Sequence, residues 1–247
     1  MNLTYEAIAR RIDHALLLPT MTPAETLAGC LLAARYEVAS VCVKPHAVRL
    51  AVEALQGSVV QVGTVVGFPH GGQSTANKVA EAREAIQLGA TEIDMVVNLG
   101  EVLGGGWRTV EDELRQVTQA VKEHQRMIKV IFETCYLTDQ QKIYLCEICG
   151  TVGVDYVKTS TGFGTGGATR ADLVLMKKHS STQVKLKASG GIRNLQTAIE
   201  FVELGAERLG VSRTTEILDE LYQQLNLPNR VVSRETSTST TQPGDTY

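Results

Sequence analysis

Short apolar runs alternate with longer stretches of helical periodicity along almost the whole chain. The runs read as strands at 11–17, 40–44, 61–67, 92–98, 127–134, 155–160, 184–189 and 207–212. Amphipathic stretches separate or follow them at 23–35, 75–88, 110–123, 139–149, 170–178, 195–204 and 214–225. Several of these run into a glycine (Gly89, Gly150, Gly205), which suits a left-handed helix stop. Eight strand–helix units over about 225 residues give roughly 28 residues each, the size expected in a barrel. The predicted fold is therefore α/β, a (β/α)8 TIM barrel. An open doubly wound sheet fits less well, since no G-x-G-x-x-G follows the first strand and open parallel sheets usually have fewer strands.

Parity within the strands supports closure. Ile93, Met95 and Val97 share one face, opposite Glu92, Asp94, Val96 and Asn98. Val184, Leu186 and Ala188 oppose Lys185, Lys187 and Ser189, and Val41 and Val43 oppose Ser40, Cys42 and Lys44. Val130 and Phe132 oppose Lys129, Ile131 and Glu133. Strands covered by helices on both sides of an open sheet would be apolar on both faces. One apolar and one charged face instead predicts a charged barrel lumen, whose buried charges are paired or functional.

Composition narrows the class. The chain has 247 residues, 43% of them hydrophobic, enough for one domain, placed at residues 1–229. Residues 230–247 are Ser/Thr-rich with little to bury, and are expected to form a disordered tail. A net charge of −3, a pI of about 6.0 and the lack of a Lys/Arg run argue against a nucleic-acid surface. Five cysteines, with one C-x-x-C at Cys146 and Cys149 inside a helical pattern, read as reduced cytosolic thiols. With neither a signal-peptide pattern nor a membrane-length apolar stretch, the expectation is a cytoplasmic protein without membrane association.

Candidate chemistry gathers where barrel enzymes carry it, at the C-terminal ends of the strands. Asp94, Lys158 and Lys187 sit late in their strands with lumen-facing parity. An amine becomes a nucleophile when burial and a nearby cation lower its pKa, and Lys158 and Lys187 on adjacent strands would do this for each other. Asp94 would move protons, directly or through water. The same three charges would also suit a purely structural ion network, but two lysines beside one acid leave an excess cation, which favours chemistry. Gly/Ser clusters follow three late strands, at 159–167, 189–191 and 210–212, the usual place for a phosphate cradle. The five histidines are scattered without metal-ligand spacing, so no metal is expected.

Taken together, the motifs resemble those of the deoxyribose-phosphate aldolases, class I (Schiff-base) aldolases on a TIM barrel. The likeness is carried by Ile12-Asp-His, Val41-Cys-Val-Lys-Pro45, Val65-Val-Gly-Phe-Pro-His-Gly71 and Glu92-Ile-Asp-Met-Val-Val-Asn98. It continues in Lys129-Val-Ile-Phe-Glu-Thr134, Val157-Lys-Thr-Ser-Thr-Gly162 and Lys187-Ala-Ser-Gly-Gly-Ile-Arg193. The resemblance implies reversible cleavage of 2-deoxy-D-ribose 5-phosphate to acetaldehyde and D-glyceraldehyde 3-phosphate. It implies Lys158 as the imine-forming lysine, Lys187 as the neighbour that depresses its pKa, and Asp94 as the proton relay. Gly162, Gly190, Gly191, Gly210 and Ser212 match positions around the substrate phosphate, and Asp13 and Cys42 match further substrate-side positions. No cofactor is implied, because the iminium itself supplies electrophilic activation. A homodimer or homotetramer is implied, and for some relatives a terminal tyrosine, here Tyr247, reaching the site. Ala15, Phe163 and Arg213 depart from the family's common threonine, lysine and second serine. A phosphosugar isomerase or epimerase is the rival enzyme, and a non-catalytic ligand-binding barrel the rival class.

Overall fold

The computed structural model describes residues 3–227, in which eight parallel strands close into a barrel in chain order, β8 pairing back onto β1. The strands are β1 (Ile12–Leu16), β2 (Ser40–Val43), β3 (Gln61–Val66), β4 (Glu92–Val96), β5 (Met127–Ile131), β6 (Tyr156–Lys158), β7 (Lys185–Ser189) and β8 (Ala206–Val211). Helices α2 (Pro23–Tyr36), α3 (Val48–Ala54), α4 (Thr75–Gln87), α6 (Trp107–Lys122), α7 (Asp139–Val152), α8 (Arg170–His179), α9 (Leu195–Glu203) and α10 (Thr214–Gln224) follow the strands. Two short helices, α1 (Tyr5–Ala9) before β1 and α5 (Leu99–Gly104) after β4, complete the fold. The expected tail at 230–247, with Tyr247, lies outside the described residues.

The alternation of faces explains the core. Ile93, Met95, Ile128, Val130, Val157, Leu186 and Ala188 all belong to the apolar cluster beneath the helices, while Asp94, Lys129, Lys158 and Lys187 are buried on the opposite face. Each large aliphatic side chain moved out of water there stabilises the fold by about 1.5–3 kcal/mol. That surplus is what lets a barrel tolerate charge inside. His14 belongs to the outer face. Its Nδ1 lies 2.8 Å from Thr214 Oγ1, and burial pushes its pKa down to about 4, so it packs as a neutral ring.

Local sequence sets the element ends. Thr22 caps α2, with Glu25 closing a reciprocal capping box and Pro23 at the first helical position. Thr138 and Gln141 repeat the device on α7. Strand five stops earlier than its apolar run, because Glu133 takes a left-handed conformation (φ 55°) and Thr134–Tyr136 forms a tight 3₁₀ turn. Asn98 leaves its strand to cap α5. Helix α7 continues through Gly150 and ends instead at Gly153, which carries the left-handed φ of 82°.

Two buried ion pairs join neighbouring helices, and the first also reaches the mouth of the barrel. Lys78 Nζ of α4 donates to Glu113 Oε1 of α6 at 2.8 Å and to the Val96 carbonyl at 2.8 Å. The same Glu113 oxygen accepts from the Asn98 amide at 3.1 Å. Lys142 of α7 donates to Asp172 of α8 at 2.6 Å.

Candidate active site

Register brings the lumen charges together. Asp94 lies beside Lys129, Lys158 beside Lys187, and Lys187 beside Arg208 on neighbouring strands. Asp94 Oδ1 accepts from Lys129 at 2.8 Å, and its Oδ2 accepts from both Lys158 and Lys187 at 2.8 Å. Lys187 also donates to Asp13 Oδ2 at 2.5 Å, and Asp13 Oδ1 is held by Arg208 and by Ser40 Oγ at 2.8 Å. Below them Glu92 bridges Lys129 at 2.6 Å and Arg208 at 2.7 Å.

In the hydrogen-bonded network four cations (Lys129, Lys158, Lys187, Arg208) thus face three carboxylates (Asp13, Glu92, Asp94), one positive charge in excess, while Glu133 near Lys158 is pushed toward its neutral form by burial. All are nearly shut off from water. A buried uncompensated charge is costly, so one lysine gives up its proton more easily than the others. Burial disfavours Asp94's charge, but Lys129, Lys158 and Lys187 together hold its carboxyl well below the usual range. Burial likewise opposes the charge on Lys129, but Asp94, Glu92 and Asp13 carry its pKa well up. For Lys187, Asp13 and Asp94 overcome burial and raise it. Lys158 shares a single oxygen of a single carboxylate. Burial lowers its pKa, Asp94 only partly restores it, and Lys187 lowers it again. Mutual depression of the two lysines therefore does not occur: Lys187 goes up and Lys158 goes down, because Lys187 reaches a second carboxylate, Asp13, that Lys158 does not.

A cavity of about 120 Å³ opens above this network at the C-terminal ends of the strands. Lys158, Lys187, Asp13 and Cys42 line its depths, and Gly162, Gly190, Gly191, Gly210 and Ser212 its upper wall; Asp94 lies beneath, touching both lysines. Ala15, Leu17, Phe163 and Ile192 add apolar lining, and Arg193 and Arg213 follow β7 and β8. The Cys42 thiol is pushed up to about 11, chiefly by burial and then by Asp94, so it is present as the neutral thiol. Gly210 is required sterically: a Cβ there would approach Ser189 Cβ to 2.8 Å and Lys187 Cε to 3.3 Å.

The loop after β6 is tied down from both sides. Glu133 accepts from the Thr161 amide at 3.2 Å and from its hydroxyl. Ser189 Oγ donates to the Ser160 carbonyl at 2.5 Å, and Thr159 Oγ1 accepts from the Ser189 amide at 3.1 Å. Of the further site-forming residues, Arg208 lies outside every motif, while Glu92, Lys129 and Glu133 lie within motifs that assign them no role. Parity had already put Glu92 and Lys129 on the lumen face, and Arg208 shares the parity of Gly210 and Ser212. Among the described residues, no group of three or more His, Cys, Asp or Glu side chains is placed to hold a metal ion, and no helix is long and apolar enough to cross a membrane.

The sequence profile of the DeoC/LacD family aldolases matches residues 8–216. The chain belongs to this aldolase family. As a member it is an aldolase, a carbon–carbon lyase, and the likeness read from its motifs is borne out. It is 51% identical to a deoxyribose-phosphate aldolase of Rhodopirellula baltica, over 91% of this chain and 93% of that one. It is 48% identical to that of Caldanaerobacter subterraneus subsp. tengcongensis, over 88% and 94% of the two chains. Among solved structures, the aldolase QR15 superposes with a TM-score of 0.84 at 37% identity, covering 90% of this chain and 99% of the other. The tetrameric deoxyribose phosphate aldolase of Aeropyrum pernix gives 0.83 at 28% identity, covering 90% and 93%.

Proposed function

We propose that this aldolase reversibly cleaves 2-deoxy-D-ribose 5-phosphate to acetaldehyde and D-glyceraldehyde 3-phosphate through an imine on Lys158. The observation that carries the reading is the charge imbalance of the lumen. It leaves Lys158, the lysine at the cavity with the weakest hold on a proton, as the nucleophile. The neutral amine attacks C1 of the open-chain sugar, and loss of water gives an iminium. A two-carbon product requires the C2–C3 bond to break. The bonding pair flows into the iminium to give an enamine, while the C3 hydroxyl proton leaves. Protonation of the enamine carbon and hydrolysis by one water release acetaldehyde and regenerate Lys158.

Lys187 stays cationic and keeps Lys158 neutral. Asp94 orients both amines and, with Lys187 and water, carries protons to and from the substrate. Asp13 acts through Lys187, since both its oxygens are engaged there and at Arg208. Gly162, Gly190, Gly191, Gly210 and Ser212 cradle the phosphate beside Arg213 and the start of α10. Borohydride reduction in the presence of acetaldehyde, followed by peptide mapping, tests the assignment. A stable adduct on Lys158 is expected, and an adduct on Lys187 or Lys185 instead would discard it. A homodimer or homotetramer is proposed for the intact enzyme, in keeping with the tetrameric Aeropyrum pernix relative. Light scattering that returns a monomer mass would remove that part.

A further inference from the structure

A second cavity, of about 330 Å³, adjoins the first across a shared wall made by Leu17 and Phe163. It lies over β1, β2 and β3, away from Arg193 and Arg213. Phe68, Pro69, Pro45 and Val65 complete its surface, and Phe68 meets the Phe163 ring edge-on at 5.3 Å between centroids. Its charged groups already have partners. Lys44 Nζ donates to the carbonyls of Leu18, Pro19 and Met21 at 3.1, 3.4 and 2.9 Å. Glu81 accepts from the Gly67 amide at 2.8 Å. What remains facing the space is mostly apolar, with His46 at its exposed edge.

We infer that the two cavities form one forked cleft, whose branch behind Leu17 and Phe163 receives the apolar tail of an aldehyde acceptor. This inference rests on the Lys158 imine reading. The enamine carbon of Lys158-bound acetaldehyde forms the new bond to the acceptor's carbonyl carbon. The carbonyl oxygen takes a proton, and one water hydrolyses the iminium to free a 3-hydroxyaldehyde and the lysine. Nothing is oxidised or reduced. The acceptor's substituent then has two ways to lie: a phosphate toward the β7 and β8 loops, an alkyl chain over the Leu17–Phe163 wall. Phe163 lines both cavities, and its ring, packed edge-on against Phe68, stands between them. Phe163 is thus the residue that sets how far the second branch is open.

The test measures acetaldehyde addition to hexanal and to propanal in the wild type, His46→Trp and Phe163→Ala. His46→Trp fills the second cavity from its outer edge without touching the first. The hexanal-to-propanal ratio of kcat/KM is expected to fall about tenfold or more in His46→Trp. Excluding two buried methylenes alone is worth about fifteenfold. The ratio is expected to rise in Phe163→Ala. A ratio unmoved in His46→Trp overturns the inference, whether or not Phe163→Ala folds. Titration calorimetry with 1-hexanol, which forms no imine, separates this from failure of the imine reading. Binding to the wild type that is lost in His46→Trp upholds the cavity's role even if borohydride traps nothing on Lys158. Equal binding to both, or none to the wild type, refutes it.

Discussion

Replacing Lys187 by methionine removes the excess cation of the lumen and should return Lys158 to its charged state. Both amines contact the same Asp94 oxygen at 2.8 Å, so they lie within about 5.6 Å of each other, twice that distance. Two unit charges at that separation repel by about 3 kcal/mol at an effective dielectric of about 20. Relief of this repulsion would cut the neutral fraction of Lys158 by roughly a hundredfold at any pH well below its pKa. In the proposed mechanism Lys158 acts as the neutral amine, so kcat/KM should rise as pH rises through its pKa. The wild-type limb lies below the usual lysine range, since Lys158 is depressed by burial and by Lys187. In Lys187→Met the limb should move to higher pH, and activity should be partly recovered in alkali. The assay is kcat/KM against pH, with borohydride trapping of acetaldehyde over the same range and a melting curve to separate misfolding. A limb that stays in place while activity is lost at every pH would refute the argument and leave Lys187 a purely structural or proton-transferring role.

Lys78→Met should strand Glu113 in the helix layer and lower unfolding free energy by about 3–5 kcal/mol in a denaturant titration, while borohydride labelling of Lys158 survives. A loss below 1 kcal/mol would mean that water reaches Glu113. Gly210→Ala should displace Lys187 through the new Cβ and reduce kcat more than stability; unchanged turnover would show that the β8 backbone yields. His14, with its folded pKa depressed to about 4 from 6.5, binds fewer protons folded than unfolded between those values. Stability should therefore fall by about 3 kcal/mol as pH drops across that window. His14→Asn should flatten this slope, and an equal slope in the variant would place its origin elsewhere. EDTA should leave turnover unchanged, and a loss reversed by zinc would replace the imine mechanism with a metal-dependent one.

The barrel was legible because the strands obey a strict parity: one face aliphatic, the other charged. Where parity coexists with a local backbone demand, the reading slipped. The apolar run at 127–134 continues past β5, but Glu133 turns left-handed to reach Thr161, which depends on a residue 28 positions away. Gly150 looked like a helix stop because glycine often is one; α7 runs through it to Gly153. Helices α5 and α3 escape the pattern because each is only six or seven residues long, too short to show a helical period. At the site, Lys158, Lys187 and Asp94 stood out through their motifs, and a two-lysine comparison gave the right sign for Lys158. It gave the wrong sign for Lys187. Which lysine loses its proton depends on Asp13, Lys129, Glu92 and Arg208, and only ring closure reveals how they share partners.

The order of those charges along the chain has a consequence for assembly. Within the strands, the three acids of this network come from the first half, Asp13 on β1 and Glu92 and Asp94 on β4, and its four cations from the last four strands. Each half of the barrel, taken by itself, would carry the network's charges of one sign only. Two identical halves could not pair, since like charges would be forced together in a dry interior. An N-terminal half fits only a C-terminal half. The buried charges are therefore matched only where a first half closes on a last half, as β8 does on β1.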